Sequence, residues 1–145
     1  MYEYKALINR IIDGDTVDID IDLGFGVWLR DERVRIMGID TPESRTSDTI
    51  EKQFGLAAKA RLKELIPEGS MQVLKTEVNK NGEDMKGKFG RILGDFLIEK
   101  KKVTEILVGE GHAVKYQGQS KDDVYTAHLL NRERLIEEGK VILND

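Results

Sequence analysis

Apolar and polar residues alternate strictly over residues 16–23. Val17, Ile19, Ile21 and Leu23 fall on one side of an extended chain, and Thr16, Asp18, Asp20 and Asp22 on the other. This period of two predicts a strand with one buried and one solvated, acidic face. Residues 4–12 read as a strand before it. A turn marked by Gly24 and Gly26 leads to a third strand over about residues 27–39, whose apolar parity changes near Asp31 and Glu32, as a bulge would require. Over residues 47–67 the period lengthens: Phe54, Ala57, Ala58, Leu62 and Leu65 recur three and four apart and Pro67 closes the run, which predicts a helix. Two more strands, 70–78 and 89–99, flank the turn-rich loop NKNGEDMKGK. Val103, Ile106 and Leu107 open a short helix that stops at Gly109 or Gly111, and residues 122–138 form a last amphipathic helix.

Three strands, a helix, two strands and two helices in 145 residues predict an α+β, mainly β domain. The expected architecture is a five-stranded OB-type barrel with three packed helices, one domain over residues 1–145. Hydrophobic residues make up 39% and charged residues 34%, the balance of a globular protein with a busy surface. No apolar run is long enough to span a membrane, and MYEYKALINR lacks the pattern of a secretory signal. With zero cysteines, disulfides, thiolate metal sites and cysteine nucleophiles are excluded. An intracellular, cytoplasmic monomer is the expectation. The net charge of −4 argues against holding a polyanion by a diffuse field, so nucleic-acid contact would need a local Lys/Arg cluster or a bridging cation.

Candidate chemistry centres on RVRIMGIDTPE. Val34 and Ile36 point one way and Arg35 and Met37 the other, and the strand ends at Asp40, Thr41, Pro42 and Glu43. If neighbouring strands pair, Asp15 of the DGDT turn approaches Asp40. Two carboxylates, a main-chain carbonyl and water would make an oxygen cage suited to Ca²⁺, with Mg²⁺ second. With Arg35 and Glu43 beside it, such a site suits attack of water on a phosphodiester. The competing reading is ordinary turn chemistry and a solvated arginine. His112 and His128 have no partner at metal-ligand spacing and read as structural or surface residues.

IIDGDTV, RIMGIDTPE and KGKFGRILGDF, in this order, resemble the three signature blocks of the staphylococcal nuclease-like (thermonuclease) domain. The resemblance covers residues 4–116 and fades in the last helix. It implies a Ca²⁺-dependent nuclease acting on DNA and RNA. Asp15 and Asp40 look like the carboxylate ligands of the metal, with the Thr41 carbonyl, and Asp13 is a second acidic position beside it. Arg35 and Arg91 look like the guanidiniums that hold the phosphate, Glu43 like the residue that activates water, and Lys88 and Tyr116 like weaker substrate contacts. Phe89 stands where the family often has tyrosine, and only Tyr116 remains of the aromatics expected after the second helix. A noncatalytic OB module that binds single strands or a protein partner is the alternative, and a nuclease working inside a larger assembly is another.

Overall fold

The computed structural model describes residues 2–77 and 91–143. Strands β1 (Glu3–Asp13), β2 (Thr16–Gly24) and β3 (Val27–Ile36) form an antiparallel meander, extended through β5 (Met71–Thr76) and β6 (Ile92–Ile98) in the order β3-β2-β1-β5-β6. The end of β3 then pairs in parallel with the start of β6, Val34 opposite Ile92 and Ile36 opposite Gly94. That pairing closes a five-stranded barrel, on which α1 (Thr49–Leu65) and α2 (Val103–Glu110) pack, while α3 (Lys121–Glu137) packs against α1 through Leu135 and Phe54. Two-residue strands β4 (Ile39–Asp40) and β8 (Val114–Lys115) pair outside the barrel, and β7 (Lys101–Lys102) folds back to pair antiparallel with β6. The expected architecture is the observed one.

The alternation of β2 sends Val17, Ile19 and Ile21 into the same core as Ile8, Val34, Ile36 and Phe96. Leu23 keeps the parity but runs beyond the core and is 41% exposed. The irregularity expected near Asp31 is a bulge: Ile19 faces Glu32 and Ile21 faces Leu29, and Asp31 has φ 53°. It also corrects the expectation of a fully solvated acidic face. Asp20 is buried, because the Asp31 main-chain N–H, the Asn9 amide and Arg30 all donate to its carboxylate at 2.9 Å. These donors replace water and hold its pKa below the usual carboxylate range, the Asp31 N–H most strongly.

The helices begin and end on specific contacts. Asp48 caps α1 by accepting from the Ile50 and Glu51 N–H groups. At the start of α2, Asp95 of β6 accepts from the Thr104 hydroxyl at 2.7 Å and from its N–H. Gly111, at φ 86°, ends that helix, resolving the choice between Gly109 and Gly111. The last helix departs from its expected apolar face. Leu135 is its buried residue, while Tyr125, Leu129, Leu130 and Ile136 are exposed. Its inward contacts are partly polar: His128 to Asp40, Asn131 to the Ala113 carbonyl, and Arg132 over the Phe54 ring.

Candidate active site

Two close approaches bring the site segments together on α1. A Cβ at Gly14, in the β1–β2 turn, would stand 2.9 Å from Ala58 and 3.1 Å from Thr41. A Cβ at Gly55 would stand 2.3 Å from the Glu43 carbonyl oxygen and 2.6 Å from the Ser44 nitrogen. Both glycines let loops lie directly on the helix, and the loops carry Asp13, Asp15, Thr41 and Glu43. Strand pairing supplies the rest. Thr16 lies opposite Arg35, and Arg35 opposite Leu93, two residues after Arg91.

The result is an open pocket of about 390 Å³ lined by Ile12, Asp13, Thr16, Arg33, Glu43, Arg45 and Arg91. Asp15 and Arg35 adjoin it. The Arg35 guanidinium is 3.3 Å from Asp15, and it also donates to the Ile36 and Ile39 carbonyls, which ties it to the turn that carries Asp40. Asp15 also accepts from the Thr16 hydroxyl at 3.0 Å. Burial pushes the Asp15 carboxyl above its usual range in spite of Arg35. Glu43 is raised as well, first by burial and then by the charges of Asp13, Asp15, Glu51 and Asp40. Asp40 therefore lies within electrostatic reach of Glu43. Its carboxylate meets His128 Nε2 at 2.7 Å.

Surplus negative charge and an unsatisfied oxygen mark this corner. The Thr41 hydroxyl is buried without a well-formed hydrogen bond, although it stands close enough to Asp15 to help hold that carboxyl down. A hard dication among oxygen donors would relieve the surplus negative charge, so Asp15, Asp40 and the Thr41 main-chain oxygen fit such an ion by their chemistry. Among the described residues no three acidic or histidine side chains make a metal cluster by themselves. Main-chain and water oxygens would have to complete the shell.

Of the residues singled out in the sequence, Asp13, Glu43 and Arg91 share the pocket and Asp15 and Arg35 adjoin it. Asp40 and Thr41 lie on the turn tied down by Arg35. Tyr116 is outside, half-exposed beyond β8, with its N–H donating to the Gly38 carbonyl. Lys75 and Lys115 line a separate pocket with Asp95 and Lys102. Lys88 lies outside the described residues, as does Phe89. Three contributors went unseen in the sequence. Arg33 is forked onto Asp18 at 2.8 and 3.1 Å and reaches the pocket. Arg45 sits in an aperiodic turn that carries no pattern to read. His128, taken as structural or surface, is joined to Asp40 across 88 residues of chain, a separation no local spacing reveals.

Comparison with known proteins places this geometry in context. Residues 33–142 match the family model described as Staphylococcal nuclease homologue. Endonuclease YncB of Bacillus subtilis is 34% identical over 113 residues, covering 75% of this chain and 48% of the relative. The SPbeta prophage-derived endonuclease YokF of the same organism is 31% identical over 125 residues, covering 80% and 38%. The thermonuclease of Staphylococcus intermedius is 37% identical over 87 residues, covering 60% and 45%. The chain thus spans less than half the length of these relatives. Among the described residues no helix is long and apolar enough to cross a membrane.

Proposed function

The chain belongs to the staphylococcal nuclease family, and from that premise we propose that it is a Ca²⁺-dependent nuclease hydrolysing phosphodiester bonds of DNA and RNA. The observation that carries this reading is the convergence of Asp13, Glu43 and Arg91 on one pocket, with Asp15 and Arg35 against it. Asp15, Asp40 and the Thr41 main chain would hold the cation, which supplies Lewis-acid polarisation of a phosphoryl oxygen when bound.

The chain's own residues divide the remaining work. Glu43 takes the proton of the attacking water or orients it; its raised pKa brings it nearer the range in which a base is effective. Arg35 and Arg91 hold the phosphate. A guanidinium is planar, keeps its charge, and offers paired N–H donors to two phosphoryl oxygens as negative charge grows there. The bonds from Arg35 to the Ile36 and Ile39 carbonyls hold its plane before substrate arrives, so little reorganisation accompanies binding. Tyr116 lies outside the pocket, and its exposed ring offers an aromatic surface on which a base further along the strand would stack.

The test is cleavage of plasmid DNA, a single-stranded oligonucleotide and RNA with Ca²⁺, with Mg²⁺ and with chelator, alongside Glu43→Gln. We expect Ca²⁺-dependent cleavage that falls about 10²–10⁴-fold in the variant. Binding without cleavage by the wild type refutes the enzyme reading and leaves a noncatalytic single-strand module. Full activity in Glu43→Gln removes that residue from the mechanism.

A further inference from the structure

We infer that His128 is a positioning residue for Asp40, so that the last helix fixes the direction of a carboxylate needed by the cation; this rests on the function proposed above. His128 Nε2 lies 2.7 Å from Asp40 Oδ2, and the histidine side chain is 11% exposed. An ionised carboxylate only accepts, so the proton of this bond sits on Nε2. Among the described residues His128 is the hydrogen-bond donor to that carboxylate. The main chain of Asp40 is held separately, by the pairing of β4 with β8, Asp40 opposite Val114. Strand pairing sets where the Asp40 Cα lies and leaves the side-chain torsions open. At 40% exposure, the carboxylate would otherwise turn freely toward solvent. With Oδ2 tied to the imidazole, Oδ1 is left for a ligand.

The packing of α3 supports this role. His128, Asn131 and Leu135 lie three and seven residues apart, on one stripe of the helix. They meet in turn the Asp40 carboxylate, the Ala113 carbonyl and the small apolar cluster of Phe54 and Val141. The helix is thus seated on β4 and β8, the pair of strands that carries Asp40. A carboxylate bonded by an outer residue in this way is the usual arrangement around protein-bound metals, and loss of the outer residue typically weakens metal affinity about 10–100-fold.

The test is calorimetric titration of the metal-free protein with Ca²⁺ alone, without nucleic acid. His128→Ala should weaken Ca²⁺ binding about 10–100-fold, and His128→Gln, which keeps an N–H donor, should recover most of the loss. At saturating Ca²⁺ the KM for an oligonucleotide should stay near that of the wild type, since His128 does not line the pocket. If His128→Ala fails to fold, His128→Phe keeps the ring without the donor and is compared with His128→Gln by the same criterion. Ca²⁺ binding by the donor-less variants as tight as that of the wild type, or tighter, overturns the positioning role alone. A folded wild type that binds no Ca²⁺ overturns it together with the cation assignment.

Discussion

Glycine in the interior of a helix costs about 1 kcal/mol relative to alanine, yet α1 carries one at Gly55 because the Glu43–Ser44 main chain leaves no space for a side chain. A Cβ placed there stands 2.3 Å from the Glu43 carbonyl oxygen and 2.4 Å from its carbon, whereas ordinary contact begins at 3.4 Å. Gly55→Ala therefore forces the loop back by about 1 Å, and the residue displaced is Glu43 itself. Overpacking of this kind costs about 1–3 kcal/mol, partly offset by the gain in helix propensity, so stability should fall by no more than about 2 kcal/mol. Activity should suffer more, since a misplacement of about 1 Å at a reacting group costs about 10²-fold. Gly109→Ala in α2 is the matched control. Its Cβ meets nothing within 4 Å, so it should gain about 0.4–1 kcal/mol with cleavage unchanged. Urea unfolding and oligonucleotide cleavage rates on both variants make the comparison. A Gly55→Ala protein more stable than wild type, with its kcat intact, would refute the claim that α1 positions Glu43.

Three other outcomes are expected. Arg35→Lys and Arg91→Lys should fold normally yet lose about 10²–10³-fold in kcat, because lysine keeps the charge and loses the fork; near-wild-type rates for both would remove the phosphate-holding assignment. Tyr116→Ala should raise KM by up to the ~1–3 kcal/mol that one stacked base contributes, with kcat preserved; an unchanged KM separates Tyr116 from substrate. Burial raises the Asp95 carboxyl. Its folded pKa lies above its unfolded one, so its contribution to stability is full below the unfolded value and lost as pH rises through the folded value. Asp95→Asn should flatten that part of the stability profile, measured as urea midpoints from about pH 3 to 7, and an unaltered profile would show that Asp95 does not titrate there.

How much was legible along the chain differs by element. The barrel strands and α1 were readable because each buries one face, and that face writes its period into consecutive residues: Val17, Ile19 and Ile21 for β2, Phe54, Ala58 and Leu62 for α1. The bulge at Asp31 showed as a break in parity. The burial of Asp20 did not, because it depends on donors from Asn9 and Arg30 that local patterning cannot assign. The seating of α3 was misjudged for a related reason: beside the single buried Leu135, its contacts are the His128 and Asn131 hydrogen bonds and a cation over a ring, which leave no apolar stripe.

Chain order alone determined that three short blocks carry the carboxylates and guanidiniums of the candidate site, since residue types at close spacing are local facts. Which groups meet was decided by the closed barrel and by the faces of α1 and α3. Asp15 reaches Arg35 because β2 pairs with β3, Glu43 lies on α1 because Gly55 admits it, and His128 finds Asp40 because the last helix returns across the barrel's short outer strands. Contacts of that kind join residues tens of positions apart, and their energies depend on distance in space, which one-dimensional spacing does not contain.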